Sequence, residues 1–232
     1  MKQHAIISGA AGGLGTKVTQ KFLEAGYRVH ALTEPGKQDQ IDRLQEATGS
    51  PEPLQISPLN VMNGADVADF FRQYEDGSVQ AAAFLVGGFA MGKLEDTSEE
   101  DLDKMIALNF KTAFHSVKHA LPKMAEGGRI VLISARPALD PEAAAALFAY
   151  SITKGMIKQM AEILNVMGKE RNVQAITILP SIIDTPANRE AMSDANFDHW
   201  VKPEEIADAM LHACSPEASK QMAPVFKMYG RV

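Results

Sequence analysis

Short apolar runs alternate with longer amphipathic segments from one end of the sequence to the other. The runs are rich in β-branched residues, which is typical of strands buried on both faces of a parallel sheet. They cover residues 4–8, 27–33, 53–57, 79–86, 128–134, 173–179 and 222–228. Between them, apolar residues recur at three and four positions, which predicts helices over 13–25, 38–48, 65–75, 98–125, 147–168 and 203–213. The pattern predicts an α/β fold, a doubly wound parallel sheet of about seven strands with helices on both faces.

Composition narrows the class of protein. With 232 residues, 46% of them hydrophobic, the chain can bury one core, so we expect a single domain over 1–232. A formal charge of -6 argues against nucleic acid or anionic lipid as a partner, which leaves a small molecule. The lone Cys214, the short apolar run 5–7 and the absence of any apolar stretch near ~20 residues predict a soluble, cytoplasmic protein. We expect no metal site.

A glycine-rich turn at 8–15 follows the first predicted strand and opens the first predicted helix. Its spacing, through Gly9, Gly13 and Gly15, is Gly-x-x-x-Gly-x-Gly, which differs from the general Rossmann G-x-G-x-x-G. Glycines let a pyrophosphate approach the backbone, and the helix N-terminus favours its negative charge. Small residues at a tight turn also occur for packing alone, but the position after the first strand favours a dinucleotide in a Rossmann-type fold.

The end of the second predicted strand bears on which dinucleotide binds. An acidic side chain there would bind the ribose hydroxyls, and a basic one would accept a 2′-phosphate. Glu34 disfavours a phosphate by charge, whereas Thr33 with Lys37 in reach can accept one. A plain turn at 34–36 is equally consistent with these residues, so the sequence leaves NAD and NADP open.

Tyr150 and Lys154 lie four residues apart in a predicted helix and therefore share one face. An ammonium near a phenol favours the phenolate, which is expected to lower the phenol pKa from its usual ~10. Tyr150 is then a candidate proton donor to a substrate that receives a hydride, with Lys154 holding the nicotinamide ribose and tuning the phenol. An ordinary surface pair is the alternative, and the glycine turn upstream favours the catalytic interpretation.

These residues resemble those of the short-chain dehydrogenase/reductase family, from Ala5 to about Pro186. The glycine turn is similar to the family's T-G-x-x-x-G-x-G, and Tyr150 and Lys154 are similar to its Y-x-x-x-K. Asn109 lies where the family has an asparagine that supports a proton relay. The resemblance implies an NAD- or NADP-dependent oxidoreductase that forms a homodimer or homotetramer through the long helices 98–125 and 147–168.

The resemblance also implies a set of cofactor contacts along the ends of the strands. The candidates are Gly9, Gly13, Leu14, Gly15, Thr33, Glu34, Asn60, Val61, Gly87, Gly88, Ser134, Pro180, Ile183 and Thr185.

Two departures from the family pattern are present. The family's N-N-A-G after the fourth strand is replaced at 85–88 by Leu-Val-Gly-Gly. The catalytic serine, second in the family's I-S-S, is replaced by Ala135, which leaves Ser134 one residue off and expected near the cofactor. A carbonyl reduction assisted by that serine is therefore in doubt.

The same departures resemble the dihydropteridine reductase branch of the family, which keeps Y-x-x-x-K without the serine. The likeness runs through 86–90, 138–140, 184–189 and 195–200. It implies hydride transfer to a small conjugated or carbonyl substrate, specifically a quinonoid dihydropteridine, whose imine-like system needs no second hydroxyl donor. Candidate substrate contacts are Arg136, Asn188 and Arg189, the last two in a lid over about 186–202. A carbonyl or quinone reductase with another substrate, or a non-catalytic dinucleotide sensor, are the alternatives.

Overall fold

The computed structural model describes residues 3–215, 218 and 225–232. Within these residues, seven strands form one parallel sheet in the order β3-β2-β1-β4-β5-β6-β7. The strands are β1 (His4–Ser8), β2 (Arg28–Thr33), β3 (Leu54–Pro58), β4 (Val79–Phe84), β5 (Met124–Ile133), β6 (Gln174–Pro180) and β7 (Val225–Met228). The predicted parallel sheet is confirmed.

Helices cover both faces of this sheet, as predicted. The α-helices of the described residues are α1 (Gly13–Glu24), α2 (Gln38–Thr48), α3 (Gly64–Phe71), α4 (Glu99–Met105), α5 (Thr112–Ala120), α6 (Pro141–Ala144), α7 (Phe148–Met167), α8 (Pro186–Ala191) and α9 (Pro203–Ala213). Alternate strand residues point into two apolar layers because successive side chains of a strand face opposite sides. Ile7 faces the layer formed with α1, α2 and α9, and Ile6 faces the layer formed with α3, α5 and α7.

The predicted helix 98–125 is wrong at its end and in its middle. It begins one residue later, with Ser98 as its N-cap, and its central residues, Ile106–Lys111, form a π-helical turn between α4 and α5. A single 3-10 turn, Leu121–Lys123, then leads into β5 at Met124, four residues before the predicted strand start. Pro122 explains the early end, because proline lacks the amide proton that would continue the helix.

Other boundaries differ by smaller amounts. The strand predicted at 79–86 ends at Phe84, and the helix predicted at 65–75 ends at Phe71. The segment 186–202 carries the short helix α8, and the residues 222–224 of the last predicted strand lie outside the described residues. Within the described part of the chain, no helix is both long and apolar enough to cross a membrane.

The strand order places a crevice beside the glycine turn. From β1 the chain proceeds outward through β2 to β3, then crosses back so that β4 lies on the other side of β1. In open parallel sheets the carboxyl ends of the strands separate at such a reversal, and ligands bind there. The glycine turn follows β1 at this point, and the segment 85–88 follows β4.

Candidate active site

Three positions of the glycine turn favour glycine, each for its own structural reason. Gly9 adopts a φ of +69°, a backbone conformation that disfavours other residues. A Cβ on Gly15 would lie 2.0 Å from the Gly9 carbonyl oxygen, so Gly15 lets helix α1 pack on its own turn. A Cβ on Gly13 would instead lie 3.0 Å from Cγ2 of Thr185, which belongs to the loop after β6. The glycine turn therefore lies directly against the loop after β6.

The N-terminus of α1 fits a phosphate. Gly12 is its N-cap and provides no side-chain oxygen to accept from the amides of the first turn. Amide groups at such a helix end are satisfied by water or by ligands, and phosphate oxygens suit both the donors and the positive end of the helix dipole. Leu14 lies in this first turn.

The carboxyl end of β2 fits a ribose. Thr33 is buried, and its Oγ1 has no hydrogen-bond partner among the described residues, which is costly unless a ligand supplies one. Glu34 beside it is exposed. Asn60 accepts a hydrogen bond from the Met62 amide at 3.1 Å, and Val61 is buried in the adjoining apolar layer. The glycine turn and Thr33 together match the charge and the hydroxyls of a dinucleotide.

Asn109 joins the segment after β4 to helix α7. It is buried within the π-helical turn, and its Oδ1 accepts a hydrogen bond from the Gly88 amide at 2.9 Å. Its Nδ2 donates to Thr153 Oγ1 at 3.1 Å, and Thr153 Oγ1 donates to the Tyr150 carbonyl at 2.9 Å. The sequence places these groups up to 65 positions apart, between Gly88 and Thr153, and the fold makes them one network.

Lys154 is buried beside the same segment. Its ammonium donates to the Ile133 carbonyl at 3.2 Å, and burial lowers the pKa of Lys154 to about 8. A Cβ on Gly87 would lie 2.7 Å from Asn109 Oδ1 and 3.0 Å from Lys154 Nζ. A glycine at this position therefore lets the backbone pass between the two polar side chains.

Tyr150 lies on the same helix face as Lys154, as the spacing predicts. The ammonium is 5.8 Å from the centre of the phenol ring, and Phe89 contacts that ring edge to face at 5.0 Å. The predicted lowering of the phenol pKa is wrong for the protein itself, because burial raises the pKa of Tyr150 to about 12. Removal of the phenolate from water outweighs an ammonium at this distance.

Two residues after β5, Ser134 and Ala135, occupy the positions where the family has its catalytic serine and the residue before it. Ala135 is 3% exposed and offers no hydroxyl. Ser134 is also buried, and its Oγ donates a hydrogen bond to the Lys154 carbonyl at 2.7 Å. The proton of the Ser134 hydroxyl is thus used in a hydrogen bond to the backbone of α7.

The predicted substrate residues are engaged with protein groups. Arg189 pairs with Asp184, with Nη2 2.7 Å from Oδ2, and this hydrogen bond from Arg189 lowers the pKa of the Asp184 carboxyl. Asn188 Nδ2 donates to the Ile183 carbonyl at 2.8 Å, and the Thr185 hydroxyl caps α8. Arg136 pairs with Asp140, with Nε 2.9 Å from Oδ2.

Two site residues escaped prediction from the sequence. Thr153 bridges Asn109 and Tyr150, but it stands between Tyr150 and Lys154 without a distinctive spacing of its own. Phe89 is 62% exposed yet packs against the Tyr150 ring, and only its position after two glycines hinted at the site. Among the described residues, no three His, Cys, Asp or Glu side chains are grouped to hold a metal ion.

Comparison with known proteins decides the family. Residues 9–225 match a family model described as enoyl-(acyl carrier protein) reductase. The chain belongs to the short-chain dehydrogenase/reductase family. It is an NAD(P)-dependent oxidoreductase of this type.

Its relatives are distant but span nearly the whole chain. An oxidoreductase of Staphylococcus haemolyticus is 27% identical over 92% of this chain and 91% of the relative. The cyclic-di-GMP-binding biofilm dispersal mediator protein of Escherichia coli is 26% identical, over 92% and 90% respectively. A dihydropteridine reductase of Dictyostelium discoideum is 24% identical, over 90% of this chain and 87% of that protein.

Solved structures share the fold. A short-chain dehydrogenase/reductase from Serratia marcescens superposes with a TM-score of 0.86 at 20% identity, covering 98% of this chain and 96% of that one. An NADPH-bound oxidoreductase from Pseudomonas aeruginosa, described as containing an atypical catalytic center, gives 0.87 at 20% identity, covering 98% and 95%. At these identities the similarity supports the fold alone.

Proposed function

We propose that this family member reduces a small conjugated or carbonyl substrate by hydride transfer, and that the substrate is a quinonoid dihydropteridine. The observation that carries the proposal is a site with one phenol donor and no second hydroxyl: Tyr150 is present, Ala135 replaces the family serine, and Ser134 is bonded to the Lys154 carbonyl. The relative from Dictyostelium named as a dihydropteridine reductase supports the same substrate class.

Tyr150, Lys154 and Asn109 would each have a separate role in the reaction. The reduced nicotinamide supplies a hydride when bound. Tyr150 holds the proton that the substrate takes up, and its raised pKa keeps it protonated at neutral pH, as an acid requires. Lys154 binds the nicotinamide ribose through its ammonium, and Asn109 holds the Gly87–Gly88 segment against helix α7.

A planar substrate would also explain the surroundings of the phenol. Phe89 presents an exposed aromatic ring beside Tyr150, and aromatic faces stack favourably on flat heterocycles. Reduction of a conjugated C=N system places the hydride and the proton on ring atoms, so no alkoxide develops that would need a serine hydroxyl. We assign Asn188 and Arg189 to the substrate side of the site, where ligand entry would exchange their present partners, Ile183 and Asp184.

The cofactor contacts proposed here are those of the glycine turn, the ends of β2 and β4, and the loop after β6. Gly9, Gly13, Leu14 and Gly15 would hold the pyrophosphate, and Thr33 would bind the adenosine ribose. The remaining proposed contacts are Glu34, Asn60, Val61, Gly87, Gly88, Pro180, Ile183 and Thr185, with Ser134 acting through the α7 backbone. Fluorescence titration with NADH and NADPH separately, on wild type and Thr33→Asp, tests the ribose contact, because an added carboxylate would weaken NADPH binding most.

The decisive experiment is a steady-state assay of chemically generated quinonoid dihydropterin against a panel of aldehydes and quinones. We expect pterin turnover, lost by about 100-fold or more in Tyr150→Phe, as for removal of a general acid. Cofactor binding by Tyr150→Phe serves as the control for folding. Turnover of carbonyl compounds without turnover of the pterin would show that the substrate is a carbonyl compound. Full activity of Tyr150→Phe would show that Tyr150 is not the general acid.

We also propose that the protein is cytoplasmic and assembles as a homodimer or homotetramer. An apolar groove of about 570 Å³ lies between α5 and α7. Its lining includes Phe114, Val117, Met156, Met160, Ile163 and Met167, with Lys118 and Gln159 as its polar members. A second copy of this face would cover side chains that are otherwise exposed, such as Ile163 and Met167.

A further inference from the structure

Three loops that follow neighbouring strands meet on the substrate side of the sheet. Arg136, in the loop after β5, donates from Nη1 to the Val232 backbone oxygen at 2.6 Å. Its guanidinium also lies 5.4 Å from the centre of the Tyr229 ring, after β7. Together with its pairing to Asp140, these contacts give the guanidinium three partners. Arg136 therefore fastens the segment 229–232 to the sheet and is not placed as a free ligand for substrate.

The same segment holds the turn at 197–200. The Arg231 amide donates to the His199 carbonyl at 2.9 Å. Gly230 has a φ of +62°, and a Cβ there would lie 2.3 Å from the His199 oxygen. On the other side, Ser181 Oγ donates to the Tyr229 carbonyl at 2.7 Å. Such a close backbone approach requires glycine at position 230, so this contact is specified by the sequence.

The turn at 197–200 is in turn tied to the loop that faces the glycine turn. Trp200 is 4% exposed and packs on the Phe197 ring at 4.8 Å. The next residue, Val201, donates from its amide to the Ile182 carbonyl at 3.0 Å, and its own carbonyl accepts from the Asp184 amide at 2.8 Å. Thr185, which opposes Gly13, follows directly. A continuous set of contacts thus runs from Arg136 to the cofactor side of the site.

We propose that residues 229–232 act as a latch that positions the lid 186–202 over the substrate, and that Arg136, Tyr229 and Gly230 are positioning residues of this latch. Loosening it would free the lid and with it the loop at 182–185. Its consequence for substrate binding rests on the proposed function, whereas the latch itself can be observed without any substrate.

The chain carries its own reporter, because Trp200 is its only tryptophan and lies in the lid. Gly230→Ala would force the segment 229–232 away from His199, because its Cβ would lie 2.3 Å from the His199 oxygen. Gly49→Ala is the matched control: Gly49 also has a positive φ, +70°, but a Cβ there would meet nothing within 4 Å. Both variants carry similar backbone strain, and only one disturbs the latch.

For Gly230→Ala we expect a red shift of the Trp200 emission and at least about a twofold rise in its acrylamide quenching, as for local opening. With substrate, we expect KM to rise about tenfold while kcat changes by less than about twofold, because a loosened lid weakens the binding of substrate and of transition state alike. Gly49→Ala should leave the emission, the quenching and KM at wild-type values.

A second pair of variants keeps the test decisive if Gly230→Ala does not fold. Tyr229→Ala removes the ring under the Arg136 guanidinium, and Tyr229→Phe keeps it. The alanine variant should shift the Trp200 emission, and the phenylalanine variant should not. Unchanged emission in both Gly230→Ala and Tyr229→Ala would overturn the latch. If the wild type turns over no pterin and the variants still shift the emission, the latch is supported and only the proposed substrate is rejected. A shifted emission with unchanged KM would overturn the positioning role of the latch.

Discussion

The buried Ser134 hydroxyl donates a hydrogen bond to the Lys154 backbone carbonyl at 2.7 Å. This contact joins the end of β5 to helix α7, so it fixes where the helix sets the Tyr150 and Lys154 side chains. It also removes the remaining serine of this strand end from the set of free proton donors. The contact is therefore structural and acts on chemistry only through position.

Ser134→Ala should consequently destabilise the protein more than it slows the reaction. Loss of one buried hydrogen bond is expected to cost about 1 kcal/mol of unfolding free energy, with activity reduced by less than about fivefold. Urea unfolding measures the first quantity and a steady-state assay the second. Ser151→Ala is the control, because the buried Ser151 hydroxyl has no partner among the described residues. A loss of activity of 100-fold in a stable Ser134→Ala protein would contradict the structural role.

Gly87→Ala should disturb the site through the one methyl group that it adds. The added methyl would lie 2.7 Å from Asn109 Oδ1, which is already held by the Gly88 amide, so the amide side chain or the segment must move. We expect at least a tenfold loss of kcat/KM, as for small displacements of positioning groups. Far-UV circular dichroism should remain unchanged. Wild-type kinetics in this variant would show that the close packing of Gly87 on Asn109 is dispensable.

The rate should fall as pH rises through about 8. Burial lowers the pKa of Lys154 to about 8, so its ammonium is present below that pH and lost above it. Tyr150 stays protonated over the same range, because burial raises its pKa to about 12. The dependence of kcat/KM on pH between 6 and 10, at saturating cofactor, measures this decrease. A rate that is level across this range would mean that the charge of Lys154 is not required.

Lys154→Met should abolish activity and yet stabilise the fold at neutral pH. The unfolded chain binds the Lys154 proton up to its ordinary pKa of 10.5, whereas the folded protein releases it near 8. Stability of the wild type therefore rises with pH between these two values. The variant should gain on the order of 1–3 kcal/mol at pH 7, a gain that shrinks as pH approaches 10.5. Thermal unfolding at pH 7 and pH 10 gives the comparison, and equal differences at both would contradict it.

Phe114→Glu should convert the proposed homodimer or homotetramer to a monomer. Phe114 is 42% exposed on α5 at the apolar groove, and a buried carboxylate at a subunit contact is strongly unfavourable. Light scattering at micromolar concentration gives the mass of each protein. Lys111→Glu, on the exposed side of the same helical stretch, is the control and should keep the wild-type mass. A wild-type protein that is already monomeric would remove the prediction.

The local features of this protein were predictable because they depend on neighbours in the chain. The alternation of apolar runs and amphipathic segments predicted all seven strands of the described sheet to within a few residues. The glycine turn at 8–15 and the Tyr150–Lys154 spacing likewise needed only strand and helix geometry. The main error, helix 98–125, arose where a proline and a π-helical turn interrupt a pattern that otherwise continues.

The parallel sheet, the resemblance to the family and the candidate residues could all be inferred from the order of residues along the chain. Their contacts became known only from the folded chain: Ser134 bonds to the Lys154 backbone, Arg136 to the segment 229–232, and Asn109 to the Gly88 amide. It also reversed the direction expected for the pKa of Tyr150. Hydrogen-bond partners and burial depend on groups far apart in the chain, and a spacing of four residues carries no information about how much water surrounds a phenol.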